Sequence, residues 1–151
     1  MFNIVKFGAL ALMAGVPAVL GSNLNVVNHC SFNIFCGGAK NDGSSSPVVI
    51  VKGNGGTYQS PLPANNDNVG SVLKCAKNPD LSQPFQMELA LQYGRSWFDL
   101  SALNGDPFIE FHRHAEIAGQ CVLDCPAGST MCEWPVQPDC ASEEDAWLTL
   151  C

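Results

Sequence analysis

The chain has 151 residues, 46% of them apolar, with seven Lys and Arg against fourteen Asp and Glu and a formal net charge of −7. That length suits one globular domain and leaves no room for two ordinary ones. A charged fraction of 14% is too low for an acidic disordered chain. The few basic residues are scattered, which excludes the basic stripe that nucleic acid requires.

Met1 to Lys6 carries one positive charge, and Phe7 to Leu20 is apolar with small residues, broken by Pro17. This pattern predicts a secretory signal peptide over residues 1–21, with cleavage near Gly21–Ser22 and a domain over residues 22–151. The apolar run is shorter than the roughly 20 residues a membrane-spanning helix needs, so no membrane span is expected. Removal of Lys6 would leave six basic residues against fourteen acidic ones.

Alternation from Asn23 to Cys36 predicts one or two strands. Gly37 to Pro47 is a turn-rich loop, and Val48-Val49-Ile50-Val51 has the β-branched composition of a core strand. Gly53-Asn54-Gly55-Gly56 ends it in a turn where positive φ costs little. After a loop over Pro61 to Asn68, Val69 to Cys75 reads as a short strand. Phe85 to Gln92 alternates, with Phe85, Met87, Leu89 and Leu91 on one face and Glu88 on the other. Trp97 to Leu103 and Pro107 to His112 read as strands around the turn Asn104-Gly105-Asp106. Gly119 to Cys140 reads as a cysteine-stapled loop region. Ser142 to Asp145 is an acidic loop or one helical turn, and Ala146 to Cys151 is a last strand. No long stretch keeps a 3.6-residue period, so the expected fold is an all-β antiparallel sandwich or barrel.

All eight cysteines lie beyond the expected cleavage point. An even count in a secreted domain implies four disulfides, and 105 connectivities are open. The gaps within Cys121, Cys125, Cys132 and Cys140 lack the short knuckles of common zinc sites. Glu110, His112 and His114 would share one strand face, but two imidazoles and one carboxylate fall short of a closed site, so no metal is expected. No GxSxG elbow, free thiol or phosphate-binding glycine loop is present, and no cofactor is expected. Trp97 and Trp147 sit in apolar strands and are expected in the core. Trp134, between Glu133 and Pro135, is the best candidate for an exposed aromatic that stacks on a sugar.

Three segments together resemble the thaumatin-like proteins: Val26-Val27-Asn28-His29-Cys30-Ser31-Phe32, then Met87-Glu88-Leu89-Ala90-Leu91-Gln92-Tyr93-Gly94 with Phe98-Asp99-Leu100-Ser101, and Ile117-Ala118-Gly119-Gln120-Cys121. They are spread in order over almost the whole mature chain. The chain is much shorter than a full thaumatin and is similar to reduced forms that keep the β-sandwich and lose most of the second domain. Among these it most resembles a small secreted fungal group named after a yeast-phase-specific protein of Blastomyces.

The resemblance implies that the first and last cysteines pair, Cys30 with Cys151; the remaining pairs are taken as Cys36–Cys75, Cys121–Cys140 and Cys125–Cys132. It also implies an acidic cleft, built in the family from one arginine and four acids. Glu88 and Asp99 match two of the acids and Ser96 stands where another is usual; the arginine has no match, Lys74 being only the nearest basic residue before Cys75 and Arg95 lying elsewhere in the pattern. The remaining aspartate belongs to a region this chain lacks. These features imply a secreted, monomeric, non-enzymatic protein, extracellular or in the cell wall. It would bind cell-wall glucan or a host or competitor surface protein through Glu88, Asp99 and Trp134. Two alternatives stand beside it. One is a weak β-glucan hydrolase using Glu88 and Asp99 as its carboxyl pair. The other is an effector or structural protein acting through a protein partner.

Overall fold

The computed structural model describes residues 21–151; the expected signal peptide, apart from Gly21, lies outside the described residues. The described residues contain eleven strands and no helix, hence none long and apolar enough to cross a membrane. The strands are β1 (Leu24–Asn28), β2 (Ile34–Lys40), β3 (Val49–Val51), β4 (Gly56–Gln59), β5 (Ser71–Ala76), β6 (Phe85–Gln92), β7 (Arg95–Ser101), β8 (Arg113–Ile117), β9 (Cys121–Cys125), β10 (Asp139–Cys140) and β11 (Ala146–Leu150). They form a five-stranded sheet, order β4-β1-β11-β8-β9, and a six-stranded sheet, order β10-β7-β6-β5-β2-β3.

Period-two alternation builds the core. On β6, Phe85, Met87, Leu89 and Leu91 are buried while Glu88 is exposed. Phe98 and Leu100 of β7, Leu73 of β5, and Leu24, Val26, Ile117 and Leu148 of the other sheet fill the space between. Each fully buried Leu, Ile or Phe contributes about 1.5–3 kcal/mol by leaving water. Both sheets are antiparallel except at one place: β1 and β11 pair in parallel, with Asn28 opposite Leu150. The chain therefore enters and leaves the five-stranded sheet side by side, running towards the same end. That brings Cys30 and Cys151, each just past its strand, into the Cys30–Cys151 disulfide. In the chain-entropy model, closing so long a loop stabilises by about 4–5 kcal/mol.

Cys36–Cys75 bridges directly opposed residues of β2 and β5. Cys121–Cys140 joins β9 to β10, the edge strands of the two sheets, and closes one side of the sandwich. Cys125–Cys132 ties the loop after β9 back to that strand. On the opposite side the sheets are linked by the turn between β3 and β4. Its Asn54 and Gly55 take positive φ (60° and 102°), and their amides donate to the Cys30 and Asn28 carbonyls. A Cβ on Gly53 would lie 2.7 Å from the Cys30 carbonyl oxygen, so the turn seats only with glycine there.

Three expectations are corrected. Val49–Val51 is an edge strand, not a core one, and Ile50 is 62% exposed. Pro107 to His112 forms turns; the strand begins one residue later, at Arg113. Phe108 is fully buried without belonging to a strand, so its apolar character reports the core and not the backbone. The stapled region from Gly119 to Cys140 holds two strands, β9 and β10, and a further short strand, β4, follows the Gly53 turn. Of the two readings open for Ser142 to Asp145, the loop holds and there is no helical turn.

Candidate functional site

The outer face of the six-stranded sheet carries a cleft of about 270 Å³. Its floor follows from the register. Glu88 of β6 lies directly opposite Asp99 of β7 on one side and Val72 of β5 on the other. Lys74 is opposite Gln86, one step along the same face. Trp97 is opposite Ala90, next to Asp99 on that face. All of these line the cleft, with Asn41 and Gln137 at its margins. Directly opposed residues of an antiparallel pair have Cβ atoms about 4.5–5.5 Å apart, so the two carboxylates are close neighbours.

Their environments differ. Glu88 is exposed, whereas Asp99 keeps 5% of its surface. Burial, followed by the adjacent Glu88 charge, pushes the Asp99 carboxyl up to about 6, against a Gln137 hydrogen bond that favours the ionised form. Gln137 Nε2 donates to Asp99 Oδ2 at 3.1 Å. Gln137 stands there because the adjoining strand β10 pairs with β7, placing Asp139 opposite Trp97, and is held by the Cys121–Cys140 disulfide. Arg95 Nε donates to Asp139 Oδ1 at 2.6 Å, fixing the same edge.

The sequence-derived candidates divide on this face. Glu88 and Asp99 come together, and Lys74 joins them at the cleft. Ser96 points inward, fully buried, and donates to the Ser142 carbonyl at 2.5 Å. Trp134 is 60% exposed, and its amide donates to the Leu100 carbonyl at 2.7 Å, but it does not line this cleft. Trp97 and Trp147, expected in the core, point outward and are 37% and 40% exposed. Trp97 is thus the aromatic that lines the acidic cleft. The signal for this was present: Trp97 and Phe98 are adjacent in a strand, so only one of them can face the core.

A second ionic group lies inside. Arg113 is fully buried and donates to Asp106, to Glu133 Oε1 at 2.9 Å and to the Ser129 carbonyl, with its guanidinium 5.4 Å from the centre of the Phe85 ring. Burial, then the Asp106 charge, raises the Glu133 carboxyl above its ordinary value; Arg113 opposes this. This cluster joins the loops after β7 and β9 to the start of β8. None of its residues lines the cleft.

Two solved structures share the sandwich. The protein elicitor MoHrip2 from Magnaporthe oryzae aligns with TM-score 0.75 and 20% identity, over 86% of this chain and 98% of its own. The thaumatin-like xylanase inhibitor TLXI aligns with TM-score 0.57 and 13% identity, over 85% and 98%. The fold is therefore the thaumatin-like one. The antigenic thaumatin-like protein of Arthroderma benhamiae is 30% identical over 163 aligned positions, covering 99% of this chain and 83% of that protein. The family model described as Bys1, Blastomyces yeast-phase-specific protein, matches residues 10–151, and the chain belongs to that family.

Proposed function

We propose that the protein is secreted and binds a neutral cell-wall polysaccharide, β-glucan first, on the outer face of its six-stranded sheet without cleaving it. The observation that carries this reading is the cross-strand pair Glu88 and Asp99 beside the outward face of Trp97. Carboxylates and the Lys74 ammonium can accept from and donate to sugar hydroxyls, and a half-exposed indole offers a flat apolar surface to a pyranose ring. The net charge of −7 disfavours acidic polymers. Four disulfides are consistent with an oxidising, extracellular setting. Incubation with insoluble β-glucan, chitin and mannan tests the reading. Wild type is expected to co-sediment with β-glucan, and the Glu88→Ala/Asp99→Ala double variant to stay in solution. Equal retention of the two would remove the cleft from the account.

One observation favours a hydrolase as the second reading. Asp99 is protonated up to about pH 6 beside an exposed Glu88, which resembles an acid paired with a carboxylate. Against it stands the geometry. Glycosidases carry their two carboxyl groups on either side of the scissile bond, whereas Glu88 and Asp99 rise side by side from one sheet face. Release of new reducing ends from β-glucan, lost in Asp99→Asn, would favour the enzyme.

A further inference from the structure

The outer face of the five-stranded sheet carries a side-chain cluster with no part in the cleft. The pairing of β8 with β9 sets His114 directly opposite Asp124, and His112 precedes it on the same face. Asp124 Oδ1 is 2.7 Å from His112 Nε2 and 2.9 Å from His114 Nδ1. One donor atom from each of the three residues lies within 4.8 Å of the others. Glu110, which the sequence places with the two histidines, is not in this group: it lies in the turn before β8, His112 immediately precedes that strand, and β9 supplies the carboxylate instead.

We propose that His112, His114 and Asp124 form a surface binding site for a divalent transition-metal ion of the Cu²⁺ or Zn²⁺ type. Two imidazole nitrogens and one carboxylate oxygen suit such borderline ions, whereas Ca²⁺ and Mg²⁺ require oxygen ligands. Ligand bonds of about 2.0–2.1 Å around a tetrahedral ion put the ligand atoms roughly 3.3 Å apart. Each nitrogen–oxygen gap here need open by only a few tenths of an ångström, which half-exposed side chains allow.

A second feature points the same way. The other nitrogen of His114, Nε2, lies 3.7 Å from Glu116 Oε2. At that distance the carboxylate is not hydrogen-bonded to the ring, but a small turn of the imidazole onto an ion lets it accept the Nε2–H, the contact that orients a ligating histidine and raises its basicity. The neighbouring cation Arg113 points into the protein, where it is consumed by Asp106 and Glu133, so it does not compete for Asp124. Three protein ligands leave the remaining positions to water or to an outside ligand.

The disulfide-bonded protein is titrated with Zn²⁺ and, separately, Cu²⁺, while calorimetry and imidazole NMR resonances are followed. Binding of one Zn²⁺ per chain is expected to move the His112 and His114 resonances and leave His29 in place. Cu²⁺ is expected to bind more tightly than Zn²⁺, and excess Ca²⁺ to displace neither. His114→Gln and Asp124→Asn should abolish saturable binding, Glu116→Gln should weaken it about tenfold, and His29→Gln should change nothing. Circular dichroism checks that each variant is folded, and the wild-type resonance shifts decide the matter if one is not. No shift at millimolar Zn²⁺, shifts that include His29 equally, or wild-type binding by folded His114→Gln and Asp124→Asn would overturn the proposal.

Discussion

Asp99 shows how one register row sets the chemistry of a side chain. Glu88 is its cross-strand neighbour, the sheet removes most of its water, and the carboxyl responds by holding its proton up to about pH 6. An unfolded aspartate titrates near 3.9. Between about pH 4 and pH 6 the native state therefore binds more protons than the unfolded state, and this group's contribution to stability falls as pH rises. The Asp99 carboxyl carbon is expected to titrate in NMR with a midpoint near 6, and Glu88→Gln to lower that midpoint by removing the neighbouring charge. In Asp99→Asn the fall in stability over that pH range should flatten. An Asp99 midpoint near 4 in wild type would show that neither burial nor Glu88 acts on it. At this scale the sequence was informative where alternation was clean, as for Glu88, and misleading where two large apolar residues adjoin. Trp97 next to Phe98, and Trp147 between Ala146 and Leu148, read as core; the buried partners are Phe98, Ala146 and Leu148.

Among the elements, β8 was the least legible. Its first residue is an arginine, and apolar residues before it, Phe108 and Phe111, imitate a strand that is in fact a series of turns. Only the structure shows that Arg113 faces inward, where Asp106 from the preceding turn and Glu133 from the loop after β9 neutralise it. Three charges distant in sequence carry no local pattern that announces such a group. Removing the cation leaves two uncompensated carboxyls, one of them already raised by burial. Arg113→Met should cost about 3–5 kcal/mol in urea unfolding at pH 7. The deficit should shrink as pH falls and Glu133, its carboxyl raised by burial, takes up its proton. A loss below about 1 kcal/mol would mean that the cluster is relaxed or hydrated. The Val48–Val51 run was misjudged for a related reason: β-branched composition marks a strand but does not say whether it lies in the middle of a sheet or at its edge.

Across the whole molecule, the cleft and the histidine cluster lie on the two opposite outer faces of the sandwich. The cleft lies on the six-stranded sheet, and the His112, His114 and Asp124 cluster on the five-stranded one, with the apolar core between them. The sandwich class was readable from short alternating segments and turn signals. The parallel β1–β11 pair was not, because strand direction depends on the path of the whole chain and leaves no mark on either strand. Likewise, eight cysteines predict four disulfides but not their partners; the Cys30–Cys151 pairing was implied by family resemblance, not by spacing. The net negative charge argued against nucleic acid at the outset, and the cleft gives part of that charge a place. The most direct test of the central claim is to titrate the labelled protein with a soluble β-glucan oligosaccharide and follow its NMR spectrum. The account predicts saturable shifts at the Trp97 indole, the Gln137 side-chain amide and the Asp99 carboxyl, with the Trp134 indole unmoved. No shifts at these groups, or shifts confined to Trp134, would contradict it.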